Sequence, residues 1–184
     1  TLFQSYKSES IIDYIQNYDK RTPGFNFQFS IEKDPLGTGG AIKHAFEIAN
    51  EKNILVCNGD TLFTVNVKEL FDFHNKHHSA CTMALKPMHN FDRYGVVELN
   101  NKNKVESFKE KRFYKNGLIN GGVYVLNDDI FNKEKFPVTF SFEKDYLEKF
   151  VGNKNIYGLI QDGYFIDIGI PEDYKRAQKE LLNF

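Results

Sequence analysis

Two aspartates and a glycine-rich turn are the parts of this chain best equipped for chemistry. Asp60 closes the run Ile54-Leu55-Val56-Cys57-Asn58-Gly59-Asp60, which reads as a buried apolar strand with a carboxylate at its C-terminal end. Asp167 stands between isoleucines in Phe165-Ile166-Asp167-Ile168-Gly169. A charged group in such a run is costly unless it is paired or bound to a metal. Two carboxylates converging from strand ends suit Mg²⁺, which takes oxygen ligands and shares them with substrate phosphates. The plainer alternative is that Asp60 caps the turn beside it and Asp167 pairs with a lysine. For either residue alone that alternative is preferred, because aspartate is common at strand ends.

The glycine-rich turn is Asp34-Pro35-Leu36-Gly37-Thr38-Gly39-Gly40-Ala41. Ile42, Ala45, Phe46 and Ala49 follow at helical spacing and share one face. Glycine lets backbone approach a ligand closely, and a helix starting near Gly39 points free N–H groups at an anion. Ligands of open α/β sheets bind beyond the carboxyl ends of the strands, where Asp60 stands. By itself the turn is an ordinary helix entry. It is neither a Gly-x-Gly-x-x-Gly after a strand nor a loop ending Gly-Lys-Ser/Thr.

Three further segments carry candidate groups. Phe108-Lys109-Glu110-Lys111 offers ammonium groups for a phosphate and a carboxylate for sugar hydroxyls, or is simply a solvated strand end. Asn120-Gly121-Gly122 inside a strand marks either close approach of a ligand or a bulge. His74, His77 and His78 have metal-ligand spacing but no accompanying glutamate motif, so they read as helix surface, as do His44 and His89.

The elements that must position these groups are legible from periodicity. Residues 2–5 read as a short strand. Ser8 caps a helix to about Asn17 with Ile11, Ile12 and Ile15 facing inward. Thr22-Pro23-Gly24 is a turn, and residues 25–31 alternate strictly, as a strand with one buried face does. Asn66 caps a helix to roughly His77, with Leu70, Phe71 and His74 at helical spacing. Residues 80–85 form a strand ended by Lys86-Pro87, and residues 91–93 a loop. Residues 94–99 and 105–109 flank a turn and form a hairpin. A strand spans residues 118–126, and a helical turn follows at 128–131. Ser141 caps a helix over 142–150. Residues 156–160 and 164–168 are short strands around a turn. Pro171 opens a last helix to Leu182, with Glu172 and Asp173 in its first turn. Early alternation of strands and helices implies parallel βαβ units, and the later hairpins make the sheet mixed.

Composition excludes several classes. The chain has 184 residues, which suggests one domain, and is 41% hydrophobic, as a globular protein is. A net charge of −1 gives no argument for nucleic acid or a membrane surface as partner. The 18 Phe and 10 Tyr read as core packing. Cys57 and Cys81 both fall in expected buried strands, which fits structural thiols in a reduced, cytoplasmic setting. No apolar run approaches the ~20 residues of a spanning helix, and no signal peptide is visible.

Taken together and in order, these segments carry a resemblance. Glu32-Lys33-Asp34-Pro35-Leu36-Gly37-Thr38-Gly39-Gly40-Ala41, Asn58-Gly59-Asp60, Tyr94-Gly95-Val96-Val97, Phe108-Lys109-Glu110-Lys111, Asn120-Gly121-Gly122-Val123-Tyr124 and Ile166-Asp167-Ile168-Gly169-Ile170-Pro171-Glu172-Asp173-Tyr174 resemble the sugar-1-phosphate nucleotidyltransferases. Within them the heptose and mannose guanylyltransferases are nearest. Phe91-Asp92-Arg93-Tyr94-Gly95, Leu118-Ile119-Asn120-Gly121-Gly122 and Phe140-Ser141-Phe142-Glu143 resemble the heptose type in particular. The resemblance implies a single domain with a three-layer Rossmann-like α/β fold and a mixed, mainly parallel sheet. It implies that Leu36, Gly37 and Thr38 line the base and ribose, with Gly39, Asn58 and Gly59 also at the nucleotide. Asp60 and Asp167 would hold Mg²⁺ on the nucleotide phosphates. Tyr94, Gly95, Glu110, Asn120 and Gly121 would meet the sugar, and Lys111 its phosphate. The substrates would be a nucleoside triphosphate, GTP by resemblance alone, and a sugar 1-phosphate. The products would be a nucleotide-sugar for surface polysaccharide and pyrophosphate. Relatives of this kind often self-associate, which leaves a homo-oligomer open.

The family's leading segment, Gly-Gly-x-Gly-Thr-Arg-Leu followed by Pro-Lys-Pro, is absent from these 184 residues, which start at Thr1. That segment supplies a first strand, a triphosphate-cradling loop and a catalytic Arg and Lys. The expectation is that this chain alone is inactive or nearly so and that the protein with the segment is active. Full pyrophosphate release from the 184 residues would refute that. Two rivals stay open. A metal-dependent glycosyltransferase would use similar aspartates, but Asn58-Gly59-Asp60 is not its usual Asp-x-Asp. A non-catalytic nucleotide-sugar-binding relative is the other.

Overall fold

The computed structural model describes residues 2–4, 8–19, 27–32, 34–132 and 134–183. The turn expected at Thr22-Pro23-Gly24 and the start of the alternating strand lie outside them. The chain forms two compact units, Thr1–Glu51 with Phe131–Lys149, and Lys52–Ile130 with Phe150–Phe184.

In the first unit, strand β1 (Leu2–Gln4) precedes helix α1 (Ser8–Asp19) and pairs in parallel with β2 (Phe29–Ile31). Ile11 is 42% exposed, so α1 buries less than its pattern offered. In β2 the buried residue is Ser30 and Ile31 is 59% exposed, the reverse of the expected apolar face. Helix α2 (Gly37–Ala49) buries Ile42 and Ala45 as its spacing requires. Phe46 meets Phe131 edge-on at 5.6 Å, and Phe131 leads through Phe140 to Phe136. Ser141 accepts the Lys144 N–H at 3.2 Å and caps a wide, π-type helix, Phe142–Glu148, whose Phe142, Tyr146 and Leu147 are buried. Phe131, Phe140 and Phe142 are thus core, as composition suggested, whereas Phe113 in the second unit is 65% exposed.

In the second unit, β3 (Asn53–Cys57) leads through a turn to β4 (Thr61–Phe63) and α3 (Val67–Lys76). Then come β5 (Cys81–Phe91), the hairpin β6 (Val96–Leu99) and β7 (Val105–Lys109), and the long β8 (Tyr114–Asn127). After the single helical turn α4 (Asp129–Asn132), the unit resumes with β9 (Ile156–Ile160), β10 (Phe165–Asp167) and α5 (Pro171–Glu180). The four-stranded sheet runs β3-β8-β5-β9, and β10 pairs with β4. The sheet is mixed, as expected, but not mainly parallel. Among the described strands only β1–β2 and β5–β9 pair in parallel, against four antiparallel ladders. The cause is β8, which inserts between β3 and β5 and runs against both.

Two strand expectations need correction. β3 is not a buried strand: it pairs on one side only among the described strands, Leu55 is 38% exposed and Cys57 is exposed. β5 does not stop at Pro87. It continues because β9 covers Cys81 to Leu85, so from Lys86 onward β5 is an edge among the described strands, where a missing N–H costs nothing. Asn66 caps α3 as read, its side chain accepting the Glu69 N–H at 3.1 Å. His74 is not surface. It is 2% exposed beside Thr82, with Nδ1 3.0 Å from the Thr82 hydroxyl, and burial lowers its pKa to about 4.

Candidate active site

The second unit brings the two aspartates close along one ladder, Asp167 on β10 and Asp60 just before β4. Asp167 stands opposite Thr61 in the β10–β4 ladder, and the Ile168 N–H donates to the Asp60 carbonyl at 2.9 Å. Asp60 does not end β3 itself. Asn58 and Gly59 turn the chain first, and Asp60 precedes the unanticipated strand β4. Its carboxylate is exposed and, among the described residues, accepts only the neighbouring Thr61 hydroxyl, at 3.3 Å.

Asp167 is half-buried and gripped on both oxygens. Oδ1 accepts the Gly169 N–H at 2.8 Å, an approach a side chain at 169 would crowd, since a Cβ there would lie 2.9 Å from the same oxygen. Oδ2 accepts the Tyr94 hydroxyl at 3.0 Å and lies 3.5 Å from Arg93 Nη2. The expected lysine partner is thus an arginine. Phe165, two residues before Asp167, sits edge-on to both Phe63 at 5.7 Å and Tyr94 at 5.8 Å, which fixes the tyrosine ring. Burial, with the Asp167 bond second, pushes the Tyr94 hydroxyl well above its ordinary pKa. Tyr94 therefore stays a neutral donor. Arg93 Nη1 donates to Asp173 on the first turn of α5, and Asp173, 9% exposed, also takes Arg176 at 3.0 Å. From sequence, Arg93 falls in a loop and Asp173 only in the first turn of a helix, where an acid is ordinary. Only the adjacency of Arg93 to Tyr94-Gly95 hinted at a role, and the burial of Asp173 has no sequence signal.

The expected sugar residues divide into two groups. Gly95 packs so tightly that a Cβ would stand 2.4 Å from the Lys109 carbonyl, which sets it beside the end of β7 where Glu110 and Lys111 emerge. Both of those side chains are exposed, and no ion pair joins Lys111 to Asp60 or Asp167 among the described residues. Asn120, Gly121 and Gly122 form a bulge: Met83 faces Tyr124 whereas Leu85 faces Asn120. Gly122 has φ +71°, and its carbonyl takes the Asn58 N–H at 2.8 Å. A Cβ on Gly121 would meet the Phe63 ring at 2.3 Å. Asn120 is held by its own turn, its Oδ1 taking the Gly122 N–H and its Nδ2 donating to the Tyr124 hydroxyl. Asn58 and Asn120 are thus joined through Gly122, while Gly59 is exposed with open space around it.

The glycine-rich turn belongs to the first unit. Gly37 has φ +69°, and its glycines admit the protein's own chain: Cβ atoms on Gly37, Gly39 and Gly40 would collide with Phe140 or Val138. The Gly39 N–H, read as free for an anion, donates to the Phe140 carbonyl at 2.9 Å. Thr38 Oγ1 accepts the Phe142 N–H at 2.8 Å, and the Leu36 N–H donates to Glu32 at 3.0 Å. Beside α2 lies a cavity of about 530 Å³ lined by Glu32, Leu36, Lys43, His44 and Val138 among others.

No cluster of three or more His, Cys, Asp or Glu among the described residues could hold a metal by itself. Asp60, in the turn before β4, and Asp167, on β10 beside β4, supply oxygen donors. That set fits Mg²⁺ in its usual enzymatic form, one or two carboxylates completed by substrate phosphates, and does not fit a closed protein cage.

The sequence matches the nucleotidyl transferase family over residues 2–183. It is 49% identical to the D-glycero-alpha-D-manno-heptose 1-phosphate guanylyltransferase of Aneurinibacillus thermoaerophilus over 183 residues, all of this chain and 78% of that protein. It is 44% identical to the Campylobacter jejuni protein of the same name, over 92% of this chain and 73% of that one. The fold superposes on crystalline HddC from Yersinia pseudotuberculosis complexed with GMP-PN with a TM-score of 0.83 and 35% identity, covering 96% of this chain and 76% of that one. A match from end to end, with adjacent aspartates at the positions that drew attention in the sequence, establishes that the chain belongs to the nucleotidyl transferase family.

Proposed function

We propose that this protein transfers GMP from GTP to a sugar 1-phosphate of the heptose or mannose type, in the cytoplasm, for surface-polysaccharide synthesis. A phosphate oxygen of the sugar 1-phosphate attacks the α-phosphorus of GTP. The bond from that phosphorus to its bridging oxygen breaks, and pyrophosphate leaves with the electron pair. No covalent enzyme intermediate is needed, so positioning and charge neutralisation do the catalysis.

One observation carries the reading: in a chain of this family, Asp167 on β10 pairs with Thr61 of β4, and the turn residue just before it, Asp60, is exposed. The two aspartates would hold Mg²⁺, which neutralises charge on the triphosphate when bound. Lys111 meets the sugar phosphate as a point charge. Tyr94, with its hydroxyl on Asp167, offers the sugar its ring, and Gly95, Glu110, Asn120 and Gly121 complete that side. Within the same unit, Asn58 and Gly59 lie on the nucleotide side, as the resemblance implies. The printed names of the relatives at 49% and 44% identity support guanine and heptose.

The test is a panel of GTP, UTP, dTTP and CTP against heptose, mannose and glucose 1-phosphates, on protein carrying the signature segment, with pyrophosphate release as readout. GTP with heptose or mannose 1-phosphate gives the highest kcat/KM. Preference for another base overturns the guanylyl assignment, and no release with any pair overturns transfer itself.

A further inference from the structure

Asp167 and Asp60 are held very differently. Among the described residues Asp60 has only its neighbour's hydroxyl, whereas Asp167 has a donor on each oxygen, and those on Oδ2 come from outside its strand. Arg93 spans two carboxylates, Nη1 on Asp173 and Nη2 toward Asp167. Asp173 in turn takes Arg176, and Arg176 reaches Glu180 at 3.4 Å. Each arginine stands between carboxylates, so Arg93 does not neutralise Asp167 alone, and the cluster keeps its attraction for a cation.

We propose that Arg93 and Asp173 are positioning residues: Asp173 anchors the Arg93 fork, and the fork with the Tyr94 hydroxyl sets the Asp167 carboxylate for a divalent cation. The proposal rests on the reading of Asp60 and Asp167 as cation ligands. A planar guanidinium bridges two carboxylates from one position, which a lysine ammonium on its single stem does not reproduce. The same tie fastens residues 92–95, which carry Tyr94 and Gly95, to the first turn of α5. The cation ligand and the sugar-side stretch are thereby held as one piece. Partners that orient a ligating carboxylate typically alter metal affinity about 10–100-fold when removed.

The probe is Mn²⁺ alone, titrated against the protein and read by water-proton relaxation, with the thermal midpoint of every variant recorded. Asp60→Asn and Asp167→Asn each abolish saturable binding. Arg93→Lys keeps the charge and loses the bridge, and it weakens Mn²⁺ binding about tenfold, as does Asp173→Asn. Tyr94→Phe, which leaves the ion pairs in place, gives a smaller loss and carries the test if Arg93→Lys does not fold. Wild-type affinity in Arg93→Lys and Asp173→Asn overturns the positioning role, as does tighter binding in Arg93→Gln, which would make Arg93 a simple charge competitor. Wild-type affinity in Asp60→Asn and Asp167→Asn overturns the cation reading beneath it.

Discussion

At the scale of single residues, the two aspartates do unlike work. Asp60 is exposed and free to meet a ligand, and Asp167 is oriented by Gly169, Tyr94 and Arg93. Replacing either by asparagine keeps size and removes the charge, so kcat should fall by about 100-fold or more, the usual cost of losing one electrostatic contact to a transition state. Steady-state pyrophosphate release measures this, and a loss under tenfold in both would count against the assignment. The aspartates were legible because a carboxylate in an isoleucine run demands an explanation. Their neighbours were not. A lysine was expected on Asp167 because sequence distance carries no information about which cation arrives, and Arg93 lies 74 positions away. Asp173 showed only its place in a first helical turn, where an acid is ordinary.

At the scale of elements, most helices were readable because caps and 3.6-residue spacing are local. Asn66 and Ser141 both cap as read. Strands were read less well, because what buries a strand is the strand beside it. The β3 run looked buried and lies at a described sheet edge with Leu55 and Cys57 exposed, while β5 passes through Pro87 on a stretch that β9 does not cover. The glycine-rich turn shows the same limit. Its glycines promised close approach, and the backbone that approaches is Val138 to Phe140, 98 to 103 residues on from Gly40 and Gly37. Gly37→Ala would force a side chain onto φ +69° with its Cβ 2.6 Å from the Phe140 carbonyl. The cost should be about 1–3 kcal/mol, the range for a strained backbone site. Denaturant unfolding checks it, and a stability unchanged within 0.5 kcal/mol, roughly the scatter of a neutral surface substitution, would contradict the packing described.

At the scale of the whole molecule, stability should fall in acid for a reason visible in α3. His74 has a folded pKa of about 4 against an ordinary 6.5, because burial disfavours its charged form. Above pH 6.5 it is neutral whether the chain is folded or not, and its burial costs nothing in proton affinity. As pH falls from 6.5 toward 4, the unfolded chain takes the proton and the folded one does not, so stability declines, and below 4 the loss levels off. The full difference is about 3 kcal/mol. Unfolding free energies measured from pH 7 to pH 4 should drop by that order, and less steeply in His74→Gln; parallel curves would remove His74 as the cause. Family membership was legible at this scale because six ordered segments spread over the chain coincide, although each is weak alone. The antiparallel majority of the sheet was not, since β8 pairs with strands on both sides that precede it in the chain by tens of residues.

The most direct measurement follows the phosphorus. GTP labelled at the α-phosphate is incubated with the sugar 1-phosphate, the divalent cation and protein carrying the signature segment, and the products are separated. The label should appear in the nucleotide-sugar and never in pyrophosphate, and transfer should collapse in Asp60→Asn and Asp167→Asn. Label in any other product, or transfer undiminished in both variants, would contradict nucleotidyl transfer over this pair of carboxylates.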